Sequence, residues 1–311
     1  MIQSCAKPWP WGEIRPAPWG NKMTVCIAAI CRDQPDRHVI MASDQMISMG
    51  GVTSGDSATL KLDPLYFHWW SQFASNDVSA ILPVYEAIRN RDASDTKTKL
   101  LTKLTDIAEM CKEAYKAGRL ERIQDEVLAE YGMTWKDLKE DGMKRLNERD
   151  FQMLTEKIRR FSLDLEMLIG GFDENKEPHI FTVSNPGTAN YYDKLGFWAI
   201  GSGQPNALAA LFACEYKPSS NSLEECVAKV LSAKFSAESA QGVGKSTFLI
   251  VYNQKDEVLF LPNSLEDQIK SDWKKLPRFP VKRLPKIREE LEASRIKGLR
   301  QSNSRKSKDQ Q

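Results

Sequence analysis

The sequence predicts an α+β domain in which antiparallel sheets are covered by helices, and three observations predict it. Short β-branched or apolar runs come in groups rather than alternating singly with helical segments. Polar turns join neighbouring runs within a group, as hairpins require. Amphipathic stretches with apolar residues at helical spacing separate the groups. With 311 residues, 41% of them hydrophobic and 9% aromatic, the chain has material for a large core and is too apolar for a disordered polymer.

The elements follow in order. TVCIAAI (24–30) and HVIMA (38–42) read as two strands of a hairpin across the polar turn Arg32–Arg37. Gly50-Gly51 and Gly55 break the following loop, and LYFHWWSQFA (65–74) reads as one further apolar strand. Asp77 is placed to cap a helix running to Arg91, with Val78, Ile81, Leu82, Tyr85 and Ile88 at helical spacing. Residues 97–161 read as two to four charged amphipathic helices. Leu100, Leu104, Ile107, Cys111 and Tyr115 share one face, Gly118 is expected to end the first segment, and Thr134 with Asp137 forms a capping-box pattern. Strands return at 163–173, 178–184, 189–192 and 197–201, followed by helices at Pro205–Glu215 and Ser222–Glu238. TFLIVYN (247–253) and EVLFLP (257–262) close the pattern as a hairpin. Beyond Asn263 the chain is rich in Lys and Arg, with a short helix expected near Lys286–Leu299 and a disordered end.

Composition divides the chain further. The formal net charge of +2 conceals +2 on residues 1–22, −7 on 23–263 and +7 on 264–311. The first 22 residues hold three of the eight Trp and four of the fifteen Pro, which forbids a helix there. They lack the apolar core of a secretory signal and read as an extended arm, a propeptide or a misassigned upstream start. The expected division is therefore an arm (1–22), a main domain (23–263) with a helical insertion at about 97–161, and a basic, partly disordered tail (264–311). No stretch approaches the roughly 18 apolar residues of a membrane span, so a soluble protein with no membrane partner is expected. The six Cys are scattered without a CxxC pair and there are only three His. That pattern argues against a disulfide scaffold or zinc site and for a reducing, cytoplasmic setting, with neither metal nor cofactor expected.

Two short motifs carry possible chemistry. GVGKST (242–247) resembles the end of a phosphate-binding loop, but Ser239 stands where the first Gly belongs, and the motif runs from helix to strand, the reverse of the required order. It reads as a turn. Met23-Thr24 has the form of an initiator Met before a small residue. Translation from Met23 and loss of that Met would give Thr24 both a hydroxyl and a free α-amine, a complete nucleophile and base. The unperturbed amine pKa is about 7.7–8.0.

The surrounding residues resemble the proteasome β-subunit type of N-terminal nucleophile (Ntn) hydrolase, in particular the bacterial proteasome-like peptidases. TVCIAAI followed by VIMASDQ is similar to that family's opening hairpin, and LIGGFDENKEPHIFTVSNPG to its central hairpin. IGSGQPNALAAL is similar to its Gly-Ser-Gly turn into a helix. The resemblance runs through most of 24–262 and implies a four-layer αββα sandwich. It implies catalytic roles for Thr24, Asp44 and Lys61, an oxyanion-binding N–H at Ala74 or Ser75, and support from Ser202. Glu238 and Gln241 occupy the further supporting positions in place of the family's Asp and Ser, and Ala74 or Ser75 replaces a Gly. Cys26, two residues along the strand from Thr24, reads as a small core residue.

The expected activity is therefore a threonine-type hydrolase cleaving peptide or other amide bonds through an acyl-enzyme on Thr24. Assembly with copies of itself, in a ring as family members form, is implied by the resemblance. Ring size and any ATP-dependent partner are not readable. The competing reading is a catalytically inactive proteasome-like scaffold or interaction protein. It is favoured by the arm, by Glu238 and Gln241, and by Met23 where self-processing relatives carry Gly. The tail has few aromatics for stacking on bases, and nucleic acid is not an expected partner.

Overall fold

The computed structural model describes residues 24–33, 35–46, 48–49, 52–53, 61–66, 68–94, 103–275 and 296–297. The arm, Leu100, Gly50, Gly51, Gly55 and nearly all of the tail beyond 275 lie outside the described residues.

Two antiparallel sheets form the centre. One contains β1 (Cys26–Cys31), β2 (His38–Asp44), β10 (Phe197–Ile200), β11 (Thr247–Asn253), β12 (Glu257–Phe260) and β13 (Ile296–Lys297), in the order β10-β1-β2-β11-β12-β13. The other contains β5 (Leu62–Tyr66), β6 (Trp69–Ser75), β7 (Leu165–Phe172), β8 (Pro178–Ser184) and β9 (Thr188–Tyr191), in that order. A two-residue pair, β3 (Ser48–Met49) and β4 (Val52–Thr53), stands apart. Helices α5 (Gln204–Ala213), α6 (Leu223–Ala237) and α7 (Asn263–Lys275) cover the first sheet, whereas α1 (Ile81–Ser94) and α2 (Leu104–Ile123) cover the second. The result is the αββα sandwich.

Alternation along β1 shows why the sheets stack. Val25, Ile27, Ala29 and Cys31 pack under α5 and α6, while Cys26, Ala28 and Ile30 face the other sheet, where they meet Leu62, Trp70, Leu168 and Ile180. Both faces of β1 are buried, so the strand reads as a continuous apolar run. Each fully buried Ile, Leu or Phe in these layers contributes about 1.5–3 kcal/mol.

Three expectations change in the structure. The run 65–74 is not one strand: β5 ends at Tyr66 and β6 begins at Trp69, antiparallel to it, with Pro64 paired to Trp70 and Tyr66 to Trp69. Pro64 thereby falls on edge strand β5, where its missing N–H is tolerated. Gly118 does not end its helix, which runs on to Ile123 and passes through a π turn at Gln124–Leu128. A Cβ at Gly118 would lie 3.1 Å from Val84 Cγ2, so this glycine lets α1 and α2 pack closely. Finally, α7 was not expected. Its stripe Leu265, Ile269 and Trp273 has helical spacing but is diluted by Glu266, Asp267, Lys270, Asp272, Lys274 and Lys275. The helix expected near 286–299 lies mostly outside the described residues, and Ile296–Lys297 within it is strand. The capping box of Thr134 and Asp137 is present at the start of α3 (Trp135–Arg145), which is followed by α4 (Glu148–Arg160).

At the far end of the second sheet, His179 on β8 sits between two carboxylates. Its Nδ1 is 2.7 Å from Asp193 Oδ2 and its Nε2 is 3.5 Å from Asp173 Oδ2. Burial works to lower its pKa, but Asp193 and Asp173 outweigh burial and hold it above the usual 6.5. A raised folded-state pKa stabilises fully below the unfolded value and stops doing so as pH rises through the folded value. His179→Gln should therefore lower Tm more at pH 6 than at pH 9, measured by thermal denaturation at both. An equal loss at both pH values would contradict the charged pair.

Candidate functional site

The antiparallel order brings one set of strand ends together. The start of β1, the ends of β2, β6 and β10 and the segments leading into β5 and β11 meet at one edge of the sandwich. Registers Cys26↔Ile200, Cys26↔Ser43 and Thr247↔Asp44 fix this gathering. Thr24, Asp44, Lys61, Ala74 and Ser202 all fall there.

Three of the expected residues touch one another. Thr24 Oγ1 donates to Asp44 Oδ1 at 2.5 Å, and Lys61 Nζ donates to Thr24 Oγ1 at 2.6 Å. Lys61 Nζ also lies 2.9 and 3.0 Å from the two Asp44 oxygens. Thr24, Asp44 and Lys61 are 3%, 0% and 4% exposed, so this ion pair is out of water. Asp44 ends a strand of one sheet and Lys61 precedes a strand of the other, so the pair also ties the sheets together. Such burial is tolerable only when the remaining lone pairs are satisfied. Here they are: Asp44 Oδ1 accepts the Val25 N–H at 3.0 Å, while Oδ2 accepts those of Met46 at 3.2 Å and Gly244 at 3.0 Å.

The backbone of Thr24 is held by the Gly201-Ser202-Gly203 turn. Thr24 N–H donates to Ser202 Oγ at 3.3 Å, and Gly203 N–H donates to the Thr24 carbonyl at 3.1 Å. Ser202 Oγ in turn donates to the Gln241 carbonyl at 3.1 Å, so Gln241 reaches the site through its backbone. Gly201 has φ +89, and a Cβ there would meet Thr24, with Cγ2 only 2.7 Å away. Gly201→Ala should therefore cost about 1–3 kcal/mol of stability in backbone strain and displace Thr24. Urea denaturation measures the first effect, and a stability within 0.5 kcal/mol of the parent (about the scatter of neutral surface changes) would refute it.

Ala74 is buried near the end of β6, which faces β1 across the interface between the sheets: Cys26 Sγ donates to the Phe73 carbonyl at 3.3 Å. Ser75 Oγ is engaged in its own turn, donating to the Asp77 carbonyl at 2.8 Å. Glu238 points elsewhere. Its Oε1 pairs with Lys234 Nζ at 2.7 Å and Lys270 Nζ at 2.8 Å. Burial pushes the Cys26 thiol up to about 12, so it stays protonated and is no rival nucleophile.

Sequence reasoning missed the backbone donors at Met46 and Gly244, since an N–H leaves no signature in residue type. The turn containing Gly244 is the segment that resembled a phosphate-binding loop, and it presents an N–H to a carboxylate. Among the described residues no group of three or more His, Cys, Asp or Glu is arranged to hold a metal ion.

This is the αββα architecture of an Ntn-hydrolase-like domain with its strand ends converging on a threonine. The family model described as proteasome subunit matches residues 133–250, and over that segment the chain is proteasome-subunit-like. The matched segment includes Ser202, Glu238, Gln241 and Gly244, while Thr24, Asp44 and Lys61 precede it. No curated protein matches the chain. Proteasome family members typically assemble into oligomers. No helix among the described residues is long and apolar enough to cross a membrane.

Proposed function

We propose that the chain is a threonine-type N-terminal nucleophile hydrolase acting on peptide or other amide bonds. The observation that carries this reading is the buried contact of Thr24 Oγ1 with both Lys61 Nζ and Asp44 Oδ1. Once Thr24 is the first residue, its α-amine takes the hydroxyl proton as Oγ1 attacks the carbonyl carbon. The Lys61 ammonium stabilises the charge developing on Oγ1, and Asp44 fixes the Lys61 position. A backbone N–H at Ala74 or Ser75 receives the oxyanion. Collapse breaks the C–N bond, the protonated α-amine returns its proton to the leaving amine, and water then hydrolyses the Thr24 ester. Ser202 orients the Thr24 nitrogen. The domain proper begins at Thr24, and copies of it assemble to enclose the site.

In a chain that retains residues 1–23 the Thr24 nitrogen is an amide and cannot act as base. The protein is then an inactive, proteasome-like scaffold. Treatment of mature protein with a β-lactone or epoxyketone, followed by peptide mass spectrometry, separates the two. An adduct confined to Thr24 is the expected result, and protein that starts at Thr24 yet takes no adduct contradicts the mechanism.

A further inference from the structure

The turn that supplies the Gly244 N–H to Asp44 is itself held from behind. Lys234 Nζ on α6 donates to the Lys245 carbonyl at 2.8 Å, and Lys270 Nζ on α7 donates to the same carbonyl at 2.7 Å. Both ammoniums also grip Glu238 Oε1, at 2.7 and 2.8 Å. The Lys234 side chain is fully buried and those of Lys270 and Glu238 are 14% exposed. Burial lowers the Lys234 pKa against the opposing pull of Glu238. A fully buried ammonium such as that of Lys234 costs several kcal/mol of desolvation unless it is paired and hydrogen-bonded, as it is here by Glu238 and the Lys245 carbonyl.

Helix α7 is anchored where this geometry needs it. Trp273 donates from Nε1 to Ser232 Oγ at 3.0 Å and its ring lies 5.6 Å from that of Phe235, while Leu265 and Ile269 are buried in the layer below α6. Lys270 directly follows Ile269 and lies about one helical turn before Trp273, and its Nζ reaches the turn before β11. The Lys245 carbonyl and the Gly244 N–H lie on adjacent residues of that turn, the first fixed by the lysines and the second pointing at Asp44 Oδ2.

We propose that Lys234 and Lys270, bridged by Glu238, are positioning residues for the nucleophile: they clamp the Lys245 carbonyl so that Gly244 keeps its N–H on Asp44 and Asp44 keeps Thr24 and Lys61 in register. The inference rests on the hydrolase reading for its catalytic consequence but not for its structural one. It makes the first helix of the basic C-terminal segment part of the site, a role no motif in that segment announces. Glu238 keeps its acidic character at the supporting position while serving the clamp rather than Thr24.

The test is Lys270→Met in the full chain, since this side chain is the less buried of the two, with Lys270→Arg as the conservative control and Lys234→Met as the second variant. Hydrogen exchange reads the clamp directly: exchange of the Gly244 amide should accelerate about tenfold or more in Lys270→Met and Lys234→Met, and return towards the parent rate in Lys270→Arg. In protein that starts at Thr24, the maximal β-lactone labelling rate should fall about 10–100-fold in Lys270→Met, as expected for a displaced reacting group, with the half-saturating concentration unchanged. Unchanged Gly244 exchange in Lys270→Met overturns the clamp, whatever the labelling shows. A Lys270→Arg variant as impaired as Lys270→Met overturns it as well. If the parent is never labelled, the hydrolase reading fails, while accelerated Gly244 exchange still supports the clamp.

Discussion

On the proposed mechanism, Thr24→Ala should abolish amide hydrolysis, lowering kcat by about 10^4-fold or more, as removal of a nucleophile does in covalent hydrolases. The substitution removes the only hydroxyl that bridges Lys61 Nζ and Asp44 Oδ1 among the described residues. It leaves the Lys61–Asp44 pair and its three backbone N–H donors in place, so the domain should still fold, at a cost of about 1–3 kcal/mol for the lost hydrogen bonds. Thr24→Ser keeps the hydroxyl and should retain most of the activity. A fluorogenic peptide amide assay on mature protein checks both. Undiminished hydrolysis by Thr24→Ala would mean that another group does the chemistry.

Asp44→Ala should be the most damaging substitution for stability. It strands the Lys61 ammonium at 4% exposure and leaves the N–H groups of Val25, Met46 and Gly244 without their acceptor. Breaking a buried pair from one side costs about 3–5 kcal/mol. A domain has about 5–15 kcal/mol in total, so the loss is a large share of it. The double change Asp44→Ala with Lys61→Met removes the stranded charge and should recover part of the loss, which a urea-denaturation cycle measures as a coupling energy. A single Asp44→Ala within 1 kcal/mol of the parent would contradict a buried, fully bonded pair.

What could be read from the residues alone follows from where side chains carry the information. The hairpin of β1 and β2 was legible because Ile27, Ile30, Val39 and Ile40 form apolar runs around a polar turn. The pairing of Thr24 with Asp44 and Lys61 was expected from a family resemblance, and the structure places the three side chains in contact. Proteasome-subunit likeness over 133–250 agrees with the later part of that resemblance. The reversal between β5 and β6 was hidden because Leu65, Trp69 and Trp70 are apolar on both sides of it, so hydropathy shows no break. Helix α7 was hidden for the opposite reason, its three apolar anchors being outnumbered by charges. Lys234 did carry a signal, a lysine inside the apolar run AKVLSAKFSA, but only the fold shows that it meets Lys270 over the Lys245 carbonyl. Gly244 and Met46 act through backbone N–H groups and leave no trace in residue type.

The amine is the part of the mechanism on which everything else depends. Intact-mass measurement of the native protein, with sequencing of its N-terminal peptide, tests it most directly. The expected result is a chain whose first residue is Thr24, with a free α-amine. A stable native chain that still begins at Met1 would contradict it, because Thr24 would then have a hydroxyl beside Lys61 and Asp44 but no base of its own.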